Sequence, residues 1–139
     1  MPRLAAGDPA PDFSLPADDG STVSLSDLAG QRFVLYFYPK DMTSGCTTEA
    51  CEFRDLAPEY DAAGVRVIGV SPDPVASHVK FRDAHGLPFT LLSDPDHAAA
   101  EAYGVWVEKS MYGRTYMGIE RSTFVIGPDG RIERALYRV

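Results

Sequence analysis

From Phe33 to Tyr38 the chain reads Phe-Val-Leu-Tyr-Phe-Tyr, six apolar or aromatic residues with no polar residue among them. A strand with one wet face alternates apolar and polar side chains. A run without alternation, ended here by Pro39, is the pattern of a strand buried on both faces. Such a strand needs cover on each side, which restricts the fold to a layered sheet. Val65-Arg66-Val67-Ile68-Gly69-Val70 reads as a second buried strand and Phe89 to Leu92 as a third strand. Helical stretches separate them. The first runs from about Cys46 to Ala63, with Phe53, Leu56, Tyr60 and Ala63 at helical spacing and Gly64 as its stop. Pro58 should kink it or start a second helix. Asp73-Pro74 predicts an N-cap with proline at the first helical position, and that helix should run to about His85 before Gly86. Asp94-Pro95 repeats the device, with Gly104 as the stop. Short strands are expected at Val105 to Val107, about Thr115 to Met117, Thr123 to Ile126 and Ile132 to Tyr137. Gly127-Pro128-Asp129-Gly130 turns between the last two.

Strand and helix alternate and a β-hairpin follows, so the expected class is α/β with a central mixed sheet flanked by helices. Phe13 to Leu15 and Thr22 to Leu25 should pair as an amino-terminal β-hairpin, and Ser26 to Gly30 forms one helical turn. The first twelve residues, with Pro2, Pro9 and Pro11, are expected to run extended over the surface. A length of 139 residues suits one domain, residues 1–139. Net charge is −7 with no dense basic run, which argues against nucleic acid and anionic membrane as partners. Phe33 to Tyr38 is the longest strongly apolar run, far short of the ~20 residues of a spanning helix. The amino-terminal MPRLAAGDPAPDF has no apolar leader core, so the expected location is the cytoplasm.

Two cysteines, Cys46 and Cys51, are too few for a disulfide scaffold. Cys46 follows the loop Pro39-Lys40-Asp41-Met42-Thr43-Ser44-Gly45, at the carboxyl end of a central strand and in the first turn of a helix. Unpaired N–H groups and the positive end of the helix dipole stabilise a thiolate there. Thr43 offers a hydroxyl three residues earlier. Cys51, five residues on, sits about 8.7 Å away between Cα atoms on an ideal helix. A disulfide needs less than about 7 Å. The two thiols therefore cannot join while the helix is intact, and oxidation would have to unwind it. Cys51 could equally be a packing residue beside Phe53 and Leu56.

Pro39-x-x-x-Thr43-x-x-Cys46 resembles the active-site motif of the peroxiredoxins. GCTTEACEFRD, with Cys51 five after Cys46, is similar to the atypical two-cysteine subfamily called peroxiredoxin Q or bacterioferritin comigratory protein. GDPAPDFSLP, VLYFYPKDMT, VIGVSPD, FTLLSDPDH, YGVW and RSTFVIGPDGRI extend the likeness over nearly the whole chain. The resemblance implies a thioredoxin-like fold and a thiol peroxidase for hydrogen peroxide and organic hydroperoxides. Cys46 would attack the peroxide and become a sulfenic acid, and Cys51 would resolve it as an intramolecular disulfide. Thr43 and Arg121 would hold the peroxide, Pro39 would shield the sulfur, and Glu49 would orient Arg121. Thioredoxin or a similar dithiol would reduce the bridge. The resemblance calls for no metal, haem or flavin, and for a monomer with a dimer as the alternative. Members of the subfamily usually continue into a carboxyl-terminal helix, which the sequence to Val139 does not include.

Two other readings use the same residues. One is a peroxide sensor that relays its disulfide to a partner protein. The other is a thioredoxin-fold binding module with inert cysteines. A thiol–disulfide oxidoreductase is disfavoured because the pair is spaced C-x4-C, not C-x-x-C. His78, His85 and His97 are scattered, with no cysteine near them in sequence, and do not suggest zinc. Trp106 reads as a packing residue.

Overall fold

The computed structural model describes residues 3–137. Its centre is a five-stranded mixed sheet built from β3 (Arg32–Phe37), β4 (Val65–Ser71), β5 (Thr90–Ser93), β8 (Ser122–Ile126) and β9 (Ile132–Tyr137), in the order β5-β4-β3-β8-β9. The first three strands run parallel, while β8 pairs antiparallel with β3 and β9 with β8. β3 is central and buried on both sides, as its sequence requires. Phe33, Leu35 and Phe37 enter one apolar cluster, and Val34, Tyr36 and Tyr38 enter the other. Each such side chain stabilises the fold by roughly 1.5–3 kcal/mol on burial.

The two faces are covered differently. α1 (Ser44–Asp55), α2 (Ala57–Ala62) and α3 (Val75–His85) lie over the Val34–Tyr36–Tyr38 face, through Cys46, Ala50, Phe53, Tyr60 and Phe81. The other face carries α4 (Ala98–Ala102) and the hairpin of β1 (Ser14–Pro16) and β2 (Thr22–Ser24), through Leu15, Val23, Ala99 and Ala100. A 3-10 turn at Leu25–Leu28 follows the hairpin.

Several local expectations are corrected. Helix α1 begins at Ser44, two residues before the expected start, and stops at Asp55; the second of the two outcomes expected of Pro58 holds, since that proline lies in the first turn of a separate α2. Pro74, not Asp73, is the N-cap of α3. The Asp73 carboxylate instead accepts the Asp41 N–H at 2.7 Å and the Ser71 hydroxyl at 2.7 Å. Likewise His97, not Asp94, is the N-cap of α4, which starts only at Ala98; the Asp94 carboxylate still accepts the N–H groups of Ala99 and Ala100. β6 (Trp106–Met111) and β7 (Arg114–Ile119) are longer than expected and form their own hairpin, turning at Tyr112-Gly113. The amino-terminal segment does not simply run over the surface. Gly7 donates to the Ile132 carbonyl, Ile132 donates back to Asp8, and Ala10 is buried.

Candidate active site

The carboxyl end of β3 and the start of β8 meet because of strand register. Antiparallel pairing sets Phe37 opposite Ser122, so Arg121 emerges just beyond the end of β3. The chain leaving β3 passes through Pro39, which is half-buried, and enters α1 after Thr43. Thr43 is the N-cap residue, and its carbonyl accepts the Thr47 N–H at 2.8 Å. Cys46 follows in the first turn and its side of the helix faces inward; it is 2% exposed. Glu49 lies three residues on, a spacing that puts both side chains on one helix face.

Arg121 spans that face with its fork. Nη2 donates to Cys46 Sγ at 3.0 Å, and Nη1 donates to Glu49 Oε1 at 2.6 Å. The guanidinium lies close over the first turn of α1, 3.4 Å from where a Cβ on Gly45 would sit. Burial works against the guanidinium charge, but the bond to Cys46 and the charge of Glu49 outweigh it and raise the Arg121 pKa. For Glu49 burial wins: it pushes the carboxyl up despite Arg121, and the nearby Glu52 adds to the rise. An open cleft of about 470 Å³ lies between Arg121, Glu120 and the β6–β7 hairpin residues Val107, Lys109 and Tyr116.

Cys46, Arg121 and Glu49 are thus brought together from two elements. Thr43 caps the same helix three residues before Cys46, and its hydroxyl hydrogen is directed to the Lys40 carbonyl at 2.8 Å, leaving the oxygen lone pairs as its free valence. Cys51 is half-buried on the same unbroken α1, and both thiols are free. Sequence reasoning missed a neighbouring set of residues, Tyr38, Asp41 and His78, which are buried and mutually hydrogen-bonded. The available signal was His78 three residues before Phe81 on the inward face of α3; both are wholly buried.

A buried thiol in the first turn of a helix, touched by a guanidinium beside a central strand, stands on a fold of the thioredoxin-like class. The AhpC/TSA family model matches residues 6–135. Peroxiredoxin Bcp of Bacillus subtilis is 55% identical over 129 residues, covering 93% of this chain and 82% of the relative. Peroxiredoxin Bcp of Escherichia coli K12 is 53% identical over 133 residues, covering 96% and 85%. The bacterioferritin comigratory protein of Xanthomonas campestris, studied for alkyl peroxide reduction, superposes with a TM-score of 0.90 at 43% identity over 96% of this chain and 88% of that one. The chain belongs to the AhpC/TSA family, in its Bcp and peroxiredoxin Q group, and is a thiol peroxidase. No helix among the described residues is long and apolar enough to cross a membrane.

Proposed function

We propose that Cys46 is the thiol that attacks the peroxide and Cys51 the thiol that resolves it. The observation that carries the assignment is the Arg121 fork, which places a fixed positive charge 3.0 Å from Cys46 Sγ. The guanidinium donor meets the sulfur directly, so the group that would attack and the charge that would steady the departing oxygen are already side by side. In the first step Cys46 sulfur forms a bond to one peroxide oxygen while the O–O bond breaks. The departing oxygen takes the electron pair and leaves, once protonated, as water or an alcohol. Arg121 donors point to where that negative charge develops, the arrangement that lowers such barriers most. The Thr43 hydroxyl oxygen is available to accept the peroxide's O–H. Half-buried Pro39 limits water at the sulfur, and Glu49 keeps the guanidinium in place.

The sulfenic acid left on Cys46 is then attacked by the Cys51 thiolate. An S–S bond forms, the S–O bond breaks, and hydroxide leaves as water. Both cysteines lie on one helix, so this step needs α1 to unwind at its amino-terminal end. A dithiol of the thioredoxin type returns the pair to thiols through a mixed disulfide. Hydrogen peroxide and organic hydroperoxides are the proposed substrates, the cytoplasm the proposed location, and a monomer the proposed working unit.

Intact mass after one equivalent of hydrogen peroxide tests the scheme. Loss of two hydrogens, mapped to a Cys46–Cys51 bridge, is expected for the reduced protein. Cys46→Ser should show no peroxide-dependent change, and Cys51→Ser should gain one oxygen on Cys46 and stop. Unchanged mass in the reduced protein would refute the assignment.

A further inference from the structure

A second charged cluster lies beside the site, and no step above uses it. His78 on α3 is wholly buried, and each ring nitrogen faces an acceptor. Nδ1 lies 2.7 Å from Asp41 Oδ2, and Nε2 lies 2.9 Å from the Leu92 carbonyl. A neutral imidazole carries one N–H, and two acceptors require two. Asp41 also accepts the Tyr38 hydroxyl at 2.6 Å and the Ser77 hydroxyl at 2.8 Å. Burial alone would raise the Asp41 carboxyl, but the bonds from His78 and Tyr38, the His78 charge and the Ser77 bond together hold it below its ordinary value. Two ring N–H groups would answer both acceptors, and the pair is sealed from water. Ligand atoms of Asp41, Asp73 and His78 lie within 4.8 Å of one another, close enough for a metal ion. Both Asp41 oxygens and both His78 nitrogens are already engaged by protein groups, so the arrangement is a hydrogen-bonded clamp.

What it clamps is the loop that opens α1. The Asp41 backbone is held too, by its N–H to Asp73. The next residue, Met42, has φ +67°, in the left-handed region that a side chain other than glycine enters at a cost. Such a residue persists only where both flanks are fixed. Asp41 fixes one flank. Thr43 fixes the other, through its hydroxyl to Lys40 and its cap of α1. Three residues later comes Cys46.

We infer that Asp41 and His78 are positioning residues for Cys46: their buried clamp fixes the β3–α1 loop, and with it the helix start that holds Sγ 3.0 Å from Arg121. The inference rests on Cys46 being the reacting thiol.

The test measures second-order rate constants of Cys46 with iodoacetamide and with hydrogen peroxide, on the full chain, below each variant's melting temperature. Asp41→Ala empties the clamp and should slow both reactions roughly tenfold to a hundredfold, the scale of a misplaced reacting group. Asp41→Asn should recover most of that loss. Its amide N–H can serve His78 Nδ1, its oxygen the Tyr38 hydroxyl, and His78 Nε2–H the Leu92 carbonyl. Tyr38→Phe removes one donor from an otherwise intact core and should slow both reactions a few-fold. Nitrogen-resolved NMR of the reduced protein should show two protons on the His78 ring.

A purely structural clamp would lower melting temperatures yet leave the folded variants reacting at the parent rate, and that result overturns the inference. So does a single ring proton on His78. Should Asp41→Ala fail to fold, Tyr38→Phe decides by the same criterion. A parent protein that alkylates rapidly but ignores peroxide would sink the peroxidase chemistry instead. The alkylation rates would still judge the clamp.

Discussion

Two carboxylates flank the loop between β3 and α1, and the fold pushes them in opposite directions. Glu49 has a single cationic partner, Arg121, and a second acid close by; its side chain keeps 13% of its surface open and its pKa is raised. Asp41 receives three side-chain donors, keeps 1% of its surface open and has its pKa lowered. The difference lies in saturation. A carboxylate with donors on both oxygens and almost no open surface is held rigidly and is closed to a substrate, so it holds structure. A guanidinium shared between one thiol and one carboxylate can exchange partners as charge moves from sulfur to oxygen. Chemistry is expected on the Glu49 side and support on the Asp41 side.

The largest effects should fall on stability at the sealed side. His78→Leu leaves the Asp41 charge buried without a cation, a change that costs about 3–5 kcal/mol. Urea unfolding should show that loss, a large share of the ~5–15 kcal/mol typical of a domain. A loss below about 1 kcal/mol would mean that the pair is not ionised, and the contrast between the two carboxylates would collapse. At the open side the order reverses. Arg121→Ala should slow the peroxide step by roughly 10²–10³, the range for removing a donor aimed at developing negative charge. Its unfolding midpoint should stay close to the parent's, because the Arg121–Glu49 pair is partly open to water. An unchanged rate would remove Arg121 from the chemistry. A smaller effect is expected from Thr43→Val. One hydrogen bond of about 0.5–1.5 kcal/mol is at stake, so the peroxide rate should fall a few-fold to about tenfold. Stopped-flow tryptophan fluorescence can follow it, since the chain has one tryptophan, Trp106.

The two sides also differed in how far the sequence revealed them. β3 was legible because burial on both faces leaves an unbroken apolar run, and Cys46 because a helix start after such a strand is a local pattern. Arg121 and Glu49 came from the family likeness, since 72 residues separate them and only strand register joins them. Asp41 and His78 are 37 residues apart, and in the sequence the histidine is one of three scattered rings. Nothing local distinguishes a histidine whose two nitrogens are both answered in the core. β6 and β7 were read too short for a related reason. Glu108, Ser110, Arg114 and Thr115 are exposed, so no alternation marks the strands. Asp73 was misjudged as a cap because its carboxylate has a competing partner, the Asp41 N–H, that lies 32 residues away.

The finest separation of the two carboxylates is by acid. Because Glu49 is raised, it takes up its proton above the ordinary carboxyl value of about 4.3 as pH falls from neutral. Its stability term has the matching sign: it is fully present below the unfolded pKa and is lost as pH rises through the folded one. Protonating Glu49 therefore does not unfold the protein, but it removes the charge that steadies Arg121. Asp41 behaves oppositely. Its contribution is present above the unfolded pKa and is lost only as pH falls through the lowered folded value. A mildly acidic window should exist in which the peroxide rate has dropped while the fold is intact. Glu49→Gln should react a few-fold more slowly than the parent at neutral pH, because a neutral amide orients the guanidinium less firmly. The drop specific to that window should then be absent, since no proton is left to bind there. Rate and circular dichroism followed over one pH series decide the matter: an identical acid limb in both proteins would show that Glu49 does not govern it, and unfolding that coincides with the rate loss would show that the two carboxylates titrate together.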